Sequence, residues 1–518
     1  MAPITDIQYY CFLFCILLVS TLLFRSYAKK PTNPSTFPPS PPSLPIVGHL
    51  HLIGPLLHKS FQSLSRQYGP LISLRLGFSP CIVLSSAALA MEVFRTHDLI
   101  FAFRPEFAST QFNIYNGSNF FTAPYGTYWR FMKKLCMTEL LADRQLAGFV
   151  GVKQEEIRHF LRRLLESSES GKPVDVGAEL TRLTNNIICR MAMTTRCSGS
   201  TYESEEVRKL GDEIAKLGGK LGLGEILGPL GKLDPFGYGK KLRNLIVQFD
   251  ELLEKVLREH ENDGAEGTNE GKDLVDILLK TSKDEKAEYK LTRTNIKAFL
   301  LDIFAGGTDT SAKAMQWTLA MLINHPDILR KVRAEIEFTV GETRLVEESD
   351  IHNLPYLQAV IKETLRLFPV LPIIGRECTE DCKIGGYDVK KKSRVLINLY
   401  AIMRDPDSWE DPDSFRPERF LMKSRENLQR QEEIKNQSSK FLPFGGGRRG
   451  CPGASHAYTI MHLTVASMVQ CFDWVNGDNG LTEVSLEQGA GFNLRMAHPL
   501  LCFPIPVAKL QPLIPTVL

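Results

Sequence analysis

At 518 residues, with 43% hydrophobic and 23% charged side chains, the chain is long enough for a large core and carries no bias toward disorder. A net charge of +3, with no basic tract interleaved with aromatics, excludes a general nucleic-acid binder. The 11 cysteines are dispersed, with no CxxC and no regular ladder, and read as reduced thiols in a reducing compartment.

Ile7 to Phe24 carries no charge and as a helix would span roughly 27 Å, enough for a thin bilayer. The charged side chain ahead of it is Asp6, and the basic residues Arg25, Lys29 and Lys30 come after it. That order suits a retained anchor with a luminal N-terminus rather than a cleaved leader. Pro31 to Pro45 holds seven prolines in 15 residues, too many for a helix or a central strand, so a stiff extended spacer is expected. The predicted layout is an anchor over residues 1–25, a basic, proline-rich hinge over 26–49 and one large domain over 50–518.

Within that domain Phe61 to Tyr68 reads as helical. Leu71 to Gly77 and Cys81 to Leu84 alternate around a turn, as a hairpin does. Ala87 to Thr96 is helical, and residues 101–124 form a long aromatic loop before a helix entered at Tyr125 to Lys134. Helical periodicity then dominates as far as Asn262 to Gly271, a polar run that reads as a surface loop, and resumes through 340. Short strands return at Cys382 to Val389 and Arg394 to Leu399. The fold class is mainly α with minor β.

Four stretches carry candidate chemistry. Phe299 to Met321 reads as one helix with Gly306 and Gly307 inside it. Each glycine costs about 1 kcal/mol there relative to alanine, so a ligand approaching the backbone or a closely packed neighbour must offset it. The Thr310 hydroxyl can bond back to the Gly306 carbonyl, bending the helix and opening a water-sized gap, with Asp309 beside it as a proton-exchanging group. Glu363 and Arg366 share one face of a helix expected from Pro355 to Phe368, and alone they read as a solvated surface pair. Phe415 to Phe420 is a rigid turn carrying Arg419.

The fourth stretch, Phe441 to Gly453, sets Cys451 among five glycines and two arginines, just ahead of a helical run from Ala454 to Val469. Three chemistries are open to it. Zinc lacks partner ligands at metal spacing, His456 being a lone candidate. A cysteine nucleophile gains from the helix N-terminus but has no nominated histidine or oxyanion hole. A haem with an axial thiolate uses every part: glycines for approach to a flat macrocycle, Arg449 for a propionate, and the helix N-terminus for the thiolate.

In this order and spacing the four stretches resemble the cytochrome P-450 superfamily of haem-thiolate monooxygenases. Its Phe-x-x-Gly-x-Arg-x-Cys-x-Gly signature is matched at Phe444, Gly447, Arg449, Cys451 and Gly453. Its oxygen-activating helix motif is matched at Gly306 to Ser311, its Glu-x-x-Arg helix at Glu363 and Arg366, and its Pro-Glu-Arg-Phe block at Pro417 to Phe420.

The resemblance implies haem b, with Cys451 as axial ligand to its iron, Phe444 shielding the sulfur, and Gly447 and Gly453 allowing backbone approach. It implies Arg449, Trp129, Lys133 and Arg376 as propionate partners, Lys133 standing where the family often has arginine. Thr310 and Asp309 would relay protons to oxygen, and Glu363, Arg366 and Arg419 would form a buried ion triad, reversing the surface-pair reading. NADPH electrons would arrive through a separate NADPH–cytochrome P-450 reductase, since no nucleotide-binding glycine fingerprint follows a strand. Lys134 is expected on the docking face for that partner.

Leu44 to Leu52 and Met403 to Trp409 are similar to plant microsomal members that oxidise flavonoids and triterpenoids. This implies a single pass through the endoplasmic reticulum membrane, with the catalytic domain facing the cytosol. Substrate contacts map by resemblance to residues 101–121, Phe299 to Phe304, Val370 to Ile374 and Gly489 to Leu494. The expected pocket side chains are Ile303, Phe304, Val370, Leu371, Ile374 and Phe492. Such a lining suits an apolar small molecule, first a triterpenoid-like scaffold and second a flavonoid skeleton. A reductase-independent isomerase or dehydratase is disfavoured by the presence of Thr310.

Overall fold

The computed structural model describes residues 36–105, 117–194, 237–263, 273–421, 439–477 and 483–514 continuously, with isolated positions elsewhere. Apart from such positions, the expected anchor, hinge residues 26–35, the centre of the 101–124 loop and most of the polar run after Asn262 lie outside the described residues. Among the described residues no helix is long and apolar enough to cross a membrane.

The part of the proline-rich segment that is described is packed on the body. Prolines cannot donate, but their carbonyls accept: Pro39 takes the Ser73 N–H at 2.8 Å, and Pro41 contacts His49 Nε2 at 2.9 Å. From Thr36 onward the chain is therefore tied to the body, the Thr36 carbonyl taking the Asp388 N–H at 2.7 Å.

The strands, in chain order, are β1 (Leu71–Leu76), β2 (Ser79–Leu84), β3 (Val174–Asp175), β4 (Ile373–Glu377), β5 (Cys382–Ile384), β6 (Tyr387–Val389), β7 (Arg394–Asn398), β8 (Phe472–Asn476), β9 (Gln488–Gly489), β10 (Arg495–Met496) and β11 (Leu501–Pro506). β1 and β2 form the expected hairpin, with Leu71 opposite Leu84. The main sheet has the order β1-β2-β7-β4, with β2 parallel to β7 and β4 antiparallel to it. The expected strand Cys382 to Val389 is a tight hairpin, β5 and β6, turning at Gly385 and Gly386.

The longer helices are α1 (Leu57–Tyr68), α2 (Thr127–Leu135), α3 (Val150–Glu169), α4 (Val176–Met193), α5 (Tyr238–Asp263), α6 (Leu274–Lys283), α7 (Arg293–Gly307), α8 (Asp309–Asn324), α9 (Pro326–Val340), α10 (Pro355–Leu367) and α11 (Ala454–Cys471). α10 starts on proline, whose fixed φ suits a first helical turn, and buries Leu357, Val360, Ile361 and Leu365. α11 is buried along most of its length, its polar His462, Thr464, Ser467 and Gln470 included. α8 packs against α4, α10 and α11 in one large apolar core, while a second core lies under the main sheet. Among the described cysteines Cys189 is disulfide-bonded and the others are free, so the expectation of reduced thiols fails at that position.

The helix expected through Phe299 to Met321 is broken at Thr308, giving α7 and α8. The turn there is stretched: Ala312 N reaches Thr308 O at 3.5 Å. Two hydroxyls hold the break open. Thr310 Oγ1 donates to Gly306 O at 2.6 Å, and Thr184 Oγ1 of α4 donates to Thr308 O at 2.8 Å.

Candidate active site

The Cys451 loop closes on itself. Cys451 N donates to Phe444 O at 3.0 Å and Gly450 N to Gly447 O at 2.9 Å. Gly447 has φ +65°, and a Cβ there would lie 2.5 Å from Asp98 Oδ1. That carboxylate accepts from Arg448 N at 2.9 Å, docking the loop on the segment after Ala87–Met91. Gly453 differs: its φ is −91° and a Cβ would come no closer than 4.0 Å to Leu141, so the protein itself does not demand glycine there. Phe444 packs edge-on against Tyr458 at 5.0 Å.

Cys451 keeps open surface on one side, while protein atoms crowd it on the other. That crowding pushes the thiol pKa up, opposed by the Gly453 N–H, Lys133 and Arg104. Lys133, expected at a propionate, donates to Gly450 O at 3.1 Å and so braces the loop. Arg130, on the same helix, is exposed and lies over Tyr125 at 5.9 Å.

Three guanidiniums converge beside the loop. Arg449 donates to Ala102 O at 2.7 Å, to Phe120 O and to Ala123 O, and lies 4.4 Å over the Trp129 ring. Burial, then Arg104, lowers its pKa to about 9. Arg376 is held well below its usual value by burial and by Arg104 and Arg449. Burial lowers Arg104 to about 10, with Asp302 opposing. Trp129 Nε1 and Arg104 Nε are buried and find no acceptor among the described residues. Crowded cations and orphan N–H groups around an open thiol fit a flat group carrying two carboxylates, which is the chemistry of haem. Arg104 was not picked out from the sequence; its cue is an arginine next to Pro105 in an otherwise aromatic loop, and the structure half-buries it.

The ion triad is assembled. Arg366 donates to both oxygens of Glu363, at 2.7 and 2.9 Å, and Arg419 Nε to Glu363 Oε1 at 2.9 Å. Glu363 and Arg366 have no exposed surface, and Arg366 also caps the carbonyls of Met403, Pro412 and Ser414. The surface-pair reading is overturned by these contacts.

The second half of the broken helix, α8, packs on α11, the helix that follows Cys451. The two glycines of the broken helix answer the two explanations separately. A Cβ on Gly306 would meet nothing within 4 Å, so that backbone is open to a ligand; one on Gly307 would strike Ile188 Cδ1 at 2.7 Å, so that glycine serves close packing on α4. Asp309 is held by Lys313, one turn on, and accepts from Asn493 Nδ2 at 3.0 Å.

The expected pocket side chains divide. Ile303 and Leu371 are half-buried, Val370 and Ile374 are buried, and Phe492 is exposed. Ile374 would touch a Cβ on Gly445 at 3.4 Å, so it sits against the cysteine loop. Phe304 is misassigned: it turns into the core, edge-on to Phe249 at 5.7 Å. Helical spacing explains the difference, since Ile303, Gly306 and Thr310 share a face that Phe304 does not. Ala305, exposed on the open side, was missed. Asp302 is turned to the aromatic loop, accepting from Asn119 Nδ2 and Phe121 N, each at 3.1 Å.

Among the described residues the one cluster spaced for a metal is His260, Asp273 and Asp276 at the α5–α6 junction, and there His260 is already paired to Asp273 at 2.8 Å.

The family model "Cytochrome P450" matches residues 38–502. The chain is 43% identical over 506 residues to a beta-amyrin 24-hydroxylase of Glycine max, covering 97% of this chain and 98% of that one. It is 41% identical over 500 residues to a 3,9-dihydroxypterocarpan 6A-monooxygenase of Glycine max, covering 95% and 97%. A solved zebra fish cytochrome P450, determined with progesterone, superposes with TM-score 0.72 at 28% identity, covering 87% of this chain and 99% of that one. The protein is therefore a haem-thiolate monooxygenase that uses O2 and takes NADPH electrons through a reductase. Matched from residue 38 to residue 502, and along nearly the full length of its named relatives, the chain belongs to the cytochrome P450 family.

Proposed function

We propose that the protein hydroxylates a triterpenoid-like scaffold, in one step or in successive oxidations at one carbon. The observation that carries this reading is Asp302. It is the one charged side chain in the Phe299 to Phe304 stretch, and it bonds Asn119 and Phe121 rather than facing a substrate. Ile303, Val370, Leu371 and Ile374 then offer an aliphatic surface, which rewards carbon-rich, hydroxyl-poor molecules. The beta-amyrin 24-hydroxylase relative supports it. The pterocarpan relative favours a flavonoid-type skeleton as the second reading. Feeding both skeleton classes to a reductase-supplied host, with products read by mass spectrometry, separates them; oxidised flavonoids without any oxidised triterpenoid would sink the first.

In this reading haem, held through Cys451, supplies the oxygen chemistry, and the chain's own residues position and protonate. Arg104, Arg376, Arg449 and Trp129 would hold its propionates. The Thr310 hydroxyl proton is committed to Gly306 O, so Thr310 Oγ1 accepts from water in the gap while Asp309 exchanges protons with solvent. Residues 1–25 anchor the protein in the endoplasmic reticulum membrane, residues after Arg25 face the cytosol, and the reductase docks near the exposed Lys134. Cys451→Ser should leave far-UV circular dichroism unchanged and abolish the thiolate-ligated haem spectrum; a retained spectrum refutes the ligand assignment.

A further inference from the structure

We propose that Asn493 is a positioning residue that couples the substrate-facing turn near the C-terminus to the carboxylate of Asp309. The inference rests on the proton-delivery reading of Asp309 given above. Asn493 Nδ2 donates to Asp309 Oδ2 at 3.0 Å, and Lys313 Nζ is paired to the same oxygen. Both contacts fall on Oδ2, so the carboxylate is kept from rotating and proton exchange falls to Oδ1. An amide neither gains nor loses a proton at neutral pH, so Asn493 orients the acid without relaying through it.

The neighbouring residue fastens the same turn twice more. Leu494 O accepts from Trp317 Nε1 of α8 at 3.2 Å, and Leu494 N donates to Val370 O at 2.8 Å. Trp317 lies 4.1 Å from Phe368 in a near-parallel stack, so its position is fixed. Val370 and Phe492 are both among the residues assigned to substrate contact. A molecule that displaces either one moves the backbone carrying Asn493 relative to a helix that stays in place. By linkage, whatever holds Asp309 also holds the turn.

The test uses the full-length, haem-loaded protein and hydrogen exchange of the amides between Glu487 and Ala497. Asn493→Ala and Asp309→Ala should each speed exchange there by about fivefold, the factor for one lost hydrogen bond, and the double variant should add nothing further. Exchange as slow as wild type in Asp309→Ala, or effects that add, overturns the coupling. Asn493→Ser, which keeps a donor, serves if Asn493→Ala folds poorly, and should fall between wild type and that fivefold increase. Hydrogen peroxide released per NADPH is read on the same proteins. It should rise in Asp309→Ala if that residue delivers protons, so failure of the proton reading is seen separately from failure of the coupling.

Discussion

On the cysteine side of the site, Glu363, Arg366 and Arg419 are interlocked, and the remaining Arg366 protons go to three backbone carbonyls. On the helix side, α7 and α8 are interrupted, Gly306 faces open space and Asp309 is only partly buried. The first arrangement keeps a ligand atom and its surroundings constant. The second leaves open space beside the Gly306 backbone. Rigidity is concentrated around the cysteine loop, and looseness at the interrupted helix.

Breaking the rigid side should have the largest effect. Glu363→Ala leaves two guanidiniums without their carboxylate, a loss on the order of 3–5 kcal/mol, and should yield almost no haem-loaded protein; a normal haem content by absorbance would contradict the contrast. Gly447→Ala should cost about 1–3 kcal/mol from its left-handed backbone and its contact with Asp98, whereas Gly453→Ala should cost under about 0.5, both read by chemical denaturation.

On the open side, Thr310→Val should change stability by no more than about 0.5 kcal/mol but lower product per NADPH at least tenfold, since only the hydroxyl is lost. Equal losses in stability and turnover would make Thr310 a structural residue instead. The smallest effect concerns Asp302, whose pKa burial lifts from 3.8 to about 7. The folded protein keeps that proton where the unfolded chain has released it, so its contribution to stability falls as pH rises toward about 7 and then levels off. Asp302→Asn should therefore gain on wild type between about pH 5 and about pH 7, and little beyond; a gap that stays flat across that window removes the buried-acid account.

What could be read in the sequence was local. The β1–β2 alternation, the proline start of α10 and the Thr310 back-bond each depend on residues within a few positions. The break at Thr308 also needs a hydroxyl from Thr184, 124 positions away, which no window reveals. The partner of Asp302 lies 183 positions away, and β4 and β11 are short strands whose existence is settled by their neighbours in the sheet. The triad needed Arg419 to arrive from 56 positions beyond Glu363; spacing alone gave a surface pair. Phe304 could have been placed correctly by following one face of the helix more strictly.

Arg449 has a consequence for how the molecule is made. Its guanidinium is what the carbonyls of Ala102, Phe120 and Ala123 are waiting for, across separations of 347, 329 and 326 residues. Synthesis runs from the N-terminus, so the aromatic loop emerges from the ribosome long before the residue that organises it. That loop must stay unshaped, with its backbone solvated, through most of translation. The aromatic loop and the cysteine loop should thus set together, late, and a chain cut short ahead of Arg449 should be left with neither.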